Sequence, residues 1–269
     1  MDPMDDEDTP HGRFTGRAAL VTGAGSGIGA AVARRLSAQG AVVFAADVDG
    51  AAAEAAAKEL PGAHAVTMDV SDADQVDRAV EGVVRAQERL DVVVHAAGVD
   101  DPVAKQWIAD ALLDERPPDV VTRLDGAAWR RVMRVNLDGT FYVLRAALRV
   151  MAPRRSGAIV TVGSSSAFDA PAGYPHYAAS KAGAHALSQA VAKEAIAFGV
   201  RVNTVAPGPT QTGMAARTPA ALRQDLADPR VRPYATAEEI ADVALFLASD
   251  EAVNLVGAVL LANGGRFTV

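Results

Sequence analysis

Short apolar runs alternate with amphipathic segments along nearly the whole chain. The runs at 18–22, 41–46, 64–68, 92–94, 158–162, 200–205 and 256–261 are rich in Val, Ala, Ile and Leu and end in glycine, proline, histidine or acidic residues, as buried strands do. Between them, apolar residues recur at three- and four-residue spacing over 30–39, 51–60, 71–89, 127–151, 175–198 and 236–249, the period of helices with one buried face. Strands alternating with helices predict an α/β fold, a doubly wound, seven-stranded parallel sheet with right-handed crossovers and helices on both faces.

Within this pattern, 127–151 reads as one long amphipathic helix whose core candidates are Trp129, Val132, Met133, Val135, Leu137, Phe141, Leu144 and Leu148. Asn136 lies among them, and a buried amide requires partners. Two stretches break the alternation. An insertion at about 99–125, with Pro102, Pro117 and Pro118 and a short helix expected at 105–113, follows a strand end, where open α/β sheets bind ligands. It suits a substrate-covering flap and a plain surface insertion equally well. A polar, helix-prone stretch at about 210–233, punctuated by Pro219, Pro229 and Pro233, is read as a substrate lid. Residues 1–17 form an acidic tail, expected to be disordered, and 18–269 a single domain without repeats or linkers.

Charge and composition narrow the chemistry. The formal charge is −7 and no basic run occurs, which speaks against nucleic acid and anionic membranes as partners. There is no cysteine, so thiolate metal sites and cysteine nucleophiles are excluded, and no metal site is expected. No bilayer-length apolar stretch is present, the acidic residues 1–17 are not expected to act as a secretory leader, and a cytoplasmic location is expected.

The first strand runs directly into Gly23-Ala-Gly25-Ser26-Gly27-Ile28-Gly29 and then a helix. Glycines let backbone approach a pyrophosphate, and a helix N-terminus offers free N–H groups to it. Structural turns also use glycine, so the flanking strand and helix give the motif its weight. Asp47 ends the second strand, twenty residues after Gly27. There a carboxylate accepts from both adenosine ribose hydroxyls and repels a 2′-phosphate, predicting NAD(H) over NADP(H). Capping of the next helix is the alternative use of Asp47, with Asp49 as rival. Asp69-Val70 ends the third strand, where a carboxylate can meet the adenine amino group. Tyr177 and Lys181 are four apart and share a helix face. A fixed ammonium lowers a phenol's pKa from its usual ~10, making an acid/base group suited to alcohol–ketone chemistry. Such a pair also arises by chance.

In their order, Thr22-Gly23-xxx-Gly27-x-Gly29, Asp69-Val70, Ala97-Gly98, Asn136-Leu137, Ser164, Tyr177-xxx-Lys181, Pro207-Gly208 and Thr212 resemble the short-chain dehydrogenase/reductase family over about residues 16–265. The resemblance implies a Rossmann-like fold and an oxidoreductase acting on a CH–OH group of a small secondary alcohol, or on its ketone, with NAD. Tyr177 would be the general acid/base, and Ser164 would hold the substrate oxygen. Lys181 would bind the nicotinamide ribose and lower the pKa of Tyr177, and Asn136 would hold a relay water. Thr212, with Thr210 as rival, would contact the nicotinamide carboxamide after Pro207-Gly208. A homotetramer or dimer is implied as well. Three features depart from the pattern: His95 replaces an asparagine and is read as structural, the stretch after Gly98 is long, and Ser26 stands where NADP(H)-using members often carry arginine. Two alternatives stay open. One is a 3-oxoacyl-carrier-protein reductase, which needs a basic patch, with Arg217, Arg223, Arg230 and Arg232 as the candidates for it. The other is a dinucleotide-binding sensor without turnover.

Overall fold

The computed structural model describes residues 12–225, 232 and 234–269. In chain order its elements are β1 (Ala18–Thr22), α1 (Gly27–Ala38), β2 (Val42–Asp47), α2 (Gly50–Lys58), β3 (His64–Thr67), α3 (Ala73–Gln87), β4 (Val92–His95), α4 (Pro102–Leu113), α5 (Val120–Arg123), α6 (Gly126–Met133), α7 (Gly139–Met151), β5 (Gly157–Val162), α8 (Ser166–Asp169), α9 (Pro175–Ala195), β6 (Val200–Pro207), β7 (Thr210–Gln211), α10 (Gly213–Ala216), α11 (Ala220–Asp225), β8 (Ala235–Thr236), α12 (Ala237–Ala248) and β9 (Val259–Ala262). Seven strands form one parallel sheet in the order β3-β2-β1-β4-β5-β6-β9, while β7 and β8 pair separately. This is the doubly wound architecture that the strand–helix alternation predicts.

Successive residues of the central strands serve opposite faces, as a period of two requires. Val21, Val94, Val160 and Val205 join α1 and α12 in one core layer. Leu20, Val93, Ile159 and Val202 join α3, α7 and α9 in the other. Helix starts are fixed locally. The side chains of Asp49, Asp72, Asp101 and Asp125 each accept two backbone N–H bonds at the head of α2, α3, α4 and α6. Thr236 and Glu239 form a capping box on α12.

Several expectations are corrected. The expected tail of residues 1–17 lies partly outside the described residues, but 12–17 are folded: Phe14 is fully buried and its N–H donates to the Gln39 carbonyl (3.0 Å). The segment 127–151 is two α-helices joined by a π-helical turn, Arg134–Asp138, containing Asn136. Trp129 and Phe141 are 39% and 44% exposed. Val132 and Leu144 are buried as expected and share the inward face with Val143 and Ala147; the extra residue of the π-turn rotates α7 relative to a continuous 3.6-residue repeat, which turns Phe141 outward. The insertion is more ordered than expected, with α4 spanning Pro102–Leu113 and opened by a proline in its first turn. Pro229, Arg230 and Pro233 lie outside the described residues. Among the described residues no helix is long and apolar enough to cross a membrane.

Arg201 on β6 is buried, and its guanidinium donates to four carbonyls at the end of α12 and just beyond: Leu247 (2.8 Å), Ala248 (3.4 Å), Ser249 (2.7 Å) and Ala252 (3.1 Å). Carbonyls at a helix C-terminus lack intrahelical partners and carry partial negative charge, so a cation there is doubly favoured. Arg201→Met should therefore cost about 3 kcal/mol of unfolding free energy in urea titrations.

Candidate active site

The strand order reverses between β1 and β4, and the expected site residues gather at the C-terminal ends of these strands, where a topological switch opens a crevice. The turn from β1 to α1 is compact: a Cβ on Gly29 would lie 2.1 Å from the Gly23 carbonyl oxygen, so only glycine fits. Ser26 precedes α1 in extended conformation and makes no side-chain cap bond, leaving the first-turn N–H groups to the adjacent cleft. That cleft, about 770 Å³, is lined by Gly25, Ser26 and Gly27 on one side and by Thr212, Gly213 and Tyr234 on the other. Ile28 packs against the core behind the turn. The shape and free donors fit a dinucleotide's phosphates.

Asp47 is tied to this turn, its Oδ2 accepting from the Gly25 N–H (3.0 Å) and its Oδ1 from the Asp49 N–H (3.1 Å). Asp49, not Asp47, caps α2 through the Ala51 and Ala52 N–H groups. Asp69 turns the backbone after β3 by accepting from the Ser71 N–H (2.8 Å). The Val70 side chain is core, packed where a Cβ on Gly139 would meet it at 3.0 Å. Pro207 receives the Ser165 N–H (2.8 Å) and Gly208 donates to Ala262 (2.9 Å). Of the rival threonines, Thr212 lines the cleft against Gly27. Thr210 is buried and donates back to the Gly208 carbonyl (3.0 Å).

Around Gly98 the catalytic candidates converge. Asn136 Nδ2 donates to the Val99 carbonyl (2.9 Å) and to Ser180 Oγ (3.1 Å), and its Oδ1 accepts from the Val99 N–H (2.8 Å). A Cβ on Gly98 would stand 3.2 Å from Asn136 Oδ1 and 3.3 Å from Lys181 Nζ. Ala97 donates to Thr22 Oγ1 (3.2 Å). Lys181 is buried, donates to the Val162 carbonyl (2.9 Å), and has its pKa lowered by burial to about 8. The Tyr177 phenol shares a hydrogen bond with Ser164. Burial raises its pKa, the Ser164 bond opposes that, and the Asp100 carboxylate adds to the rise. The expected lowering by Lys181 is therefore not what this geometry produces; the ammonium is turned to a carbonyl, and desolvation of the phenolate dominates.

Two residues outside the expected set shape the site. His185, one turn beyond Lys181, accepts the Ser164 N–H at Nε2 (3.2 Å), and a Cβ on Gly163 would fall 2.0 Å from that nitrogen. Glycine at 163 thus admits the imidazole that holds Ser164. The four-residue step from Lys181 to His185 was a readable signal, since it puts both on one helix face. Asp100 left no such signal, because its approach to Tyr177 depends on the path of the insertion. His95 is buried with Nδ1 2.8 Å from Thr22 Oγ1, joining β4 to β1.

A family model described as short chain dehydrogenase matches residues 17–223. The chain is 40% identical to cis-4-hydroxycyclohexanecarboxylate dehydrogenase of Sinomonas cyclohexanicum, over 95% of this chain and 98% of that protein. It is 36% identical to a 3-oxoacyl-[acyl-carrier-protein] reductase of Thermotoga maritima, over 94% and 98%. A crystal structure described as ribose-5-phosphate isomerase from Brucella melitensis 16M superposes with a TM-score of 0.82 at 35% identity, covering 94% of this chain and 92% of that one.

Burial lowers the pKa of His95 to about 3 and that of His185 to about 4, with the Lys181 charge adding in both cases. An unfolded imidazole titrates near ~6.5, so below that pH the unfolded state binds the extra proton and the folded state does not. Stability is thus complete above about pH 6.5 and falls with acid until the folded pKa is reached. His95 alone should contribute a loss of about 2 kcal/mol between pH 7 and pH 5. Urea titrations at the two pH values should show that loss reduced by this amount in His95→Asn.

Proposed function

The chain belongs to the short-chain dehydrogenase family and is an oxidoreductase that interconverts alcohols and ketones with a nicotinamide dinucleotide, and from that premise we propose an NAD(H)-preferring dehydrogenase of a compact secondary alcohol. The observation that carries the reading is the pairing of Ser164 with the Tyr177 phenol, one helical turn from Lys181, whose ammonium lies beside Gly98, at the sheet edge that also bears the glycine turn. Asp47 supports NAD(H): its carboxylate is fixed at Gly25, where it would repel a 2′-phosphate.

Ser164 and Tyr177 hold the substrate hydroxyl, and the Tyr177 phenolate oxygen takes its proton. When bound, the nicotinamide supplies the hydride acceptor. Lys181 holds positive charge beside the reaction centre. Asn136 serves the proton's exit through its backbone carbonyl, because its amide is occupied by Val99 and Ser180. In reduction the same groups act in reverse. Thr212, lining the cleft opposite the glycine turn, orients the nicotinamide end, and α10 and α11 form the described part of the lid. The catalytic unit is a single domain, and α6 and α7, whose Trp129 and Phe141 face outward, pair in a homo-oligomer.

The carrier-protein reading is less well supported. Arg217 lies 4.0 Å from Asp100, Arg223 donates to the Ala216 carbonyl (3.2 Å) and Arg232 to Glu239 (2.6 Å), so these arginines engage the chain's own acceptors. Arg230 lies outside the described residues. The cyclic hydroxy acid in the name of the Sinomonas relative supports a compact alcohol instead.

Assayed by dinucleotide reduction across secondary alcohols, Tyr177→Phe should lose at least about a thousandfold in kcat. Comparable activity in the two proteins would refute the base assignment. Asp47→Ala should narrow the preference for NAD⁺ over NADP⁺ about tenfold or more, read as the ratio of the two kcat/KM values. An unchanged ratio would remove Asp47 from cofactor selection.

A further inference from the structure

Asp100 and Asp101 open the insertion and are both buried, and their carboxylates face opposite ways. Asp101 Oδ1 accepts from the Val103 N–H (3.0 Å) and the Ala104 N–H (3.3 Å) and lies 3.6 Å from the Arg131 guanidinium of α6. Its Oδ2 meets His176 Nε2 at 3.1 Å, next to Tyr177. The head of α4 is therefore fastened to the catalytic helix. Asp100 Oδ2 pairs with Lys105 Nζ (2.5 Å), one turn into α4. The same ammonium donates to Thr218 Oγ1 (2.9 Å), between α10 and α11. Lys105 and Thr218 are each 8% exposed. Leu222 of α11 is buried with Ala104, Ile108, Ala109 and Val120 of the insertion, and Tyr174 packs on the same cluster. A Cβ on Gly173 would meet Ile108 at 2.6 Å, so α4 also rests on the turn leading into α9.

We propose that the insertion is a strap holding the lid over the reaction centre, with Lys105 as the positioning residue whose ammonium joins Asp100 to Thr218. An ammonium this buried needs both partners, because an unpaired buried charge is strongly disfavoured. Opening the lid would take Thr218 and Leu222 away together, so the contact favours the closed arrangement. The proposal rests on the reading of Tyr177 as the acid/base. Asp100 also acts on that phenol. Ser164 and Asp100 act on the Tyr177 phenol directly and Tyr174, just before α9, lies beside it, whereas Lys105 and Arg217 are linked to it through Asp100, and Lys181 follows one turn along α9. The Asp100 carboxylate opposes the phenolate.

The test measures hydrogen exchange over 213–225, kcat and KM with the alcohol found in the panel above, and the pH profile of kcat/KM. Lys105→Met should speed lid exchange and raise KM about tenfold, as losing a charge-assisted buried bond implies, with Lys105→Arg recovering much of both. Thr218→Val, a gentler change that preserves the fold, should speed lid exchange in the same direction and leave the pH profile in place. Asp100→Asn should move the ascending limb of the profile to lower pH. Lid exchange unchanged in both Lys105→Met and Thr218→Val would overturn the strap. Exchange is read without turnover, so it stands or falls apart from the assignment of Tyr177; if Tyr177→Phe were fully active, only the pH arm would go with it.

Discussion

The amide of Asn136 is the interaction on which the site depends. Where β4 ends, the chain leaves the sheet, and the backbone at Val99 loses its ladder partners. Asn136 takes over both of them, accepting the Val99 N–H and donating to its carbonyl, and its second amide proton reaches Ser180 on α9. Three elements are thus registered to one another by one side chain: the exit of β4, the turn between α6 and α7, and the helix carrying Tyr177 and Lys181. A regular helix through 127–151 would aim this residue differently. The π-turn at Arg134–Asp138 is the local adjustment that points the amide at Val99.

Burial then sets the electrostatics. Lys181, His95 and His185 crowd into one region, and the neutral forms of both imidazoles are favoured first by desolvation and then by the positive charge of Lys181. Neutral His185 can accept the Ser164 N–H, which a protonated ring could not do at that nitrogen. The same desolvation raises the phenol of Tyr177. Chemistry near neutral pH therefore needs more than a nearby ammonium. The site as a whole, including the oriented Ser164 hydroxyl, must favour proton transfer within a dry cleft.

The insertion ties together elements on two sides of the candidate site. Through Asp101 it is anchored on the catalytic helix, and through Lys105 and Leu222 it reaches α10 and α11. A lid attached to the rest of the chain only at its ends would be set by local propensity. In the proposed strap its position is coupled to the Asp100 carboxylate, so that substrate enclosure and proton transfer would share one set of side chains.

Much of this was determined by the sequence itself. The seven apolar runs fix the strands, because a buried parallel strand leaves a continuous apolar signature. The glycine turn, Asp47 and the Tyr177–Lys181 step follow from local geometry, as helix and turn spacings place nearby residues without reference to the rest of the chain. The spacing also explains the failures. Trp129 and Phe141 fit the period of an unbroken helix, and only the packing of Asn136 against Val99 reveals that the helix is interrupted. Phe14 sits between Arg13 and Arg17 in a polar stretch, yet the core closes over it. Thr210 and Thr212 look equivalent until the small β7–β8 ribbon buries one and leaves the other on the cleft. Lys105 reaches Thr218 across 113 residues, and Asp100 reaches the phenol of Tyr177 from the insertion. Contacts of that kind are decided by which elements the tertiary fold stacks together, since a charge or donor acts through distance in space and no local pattern records it.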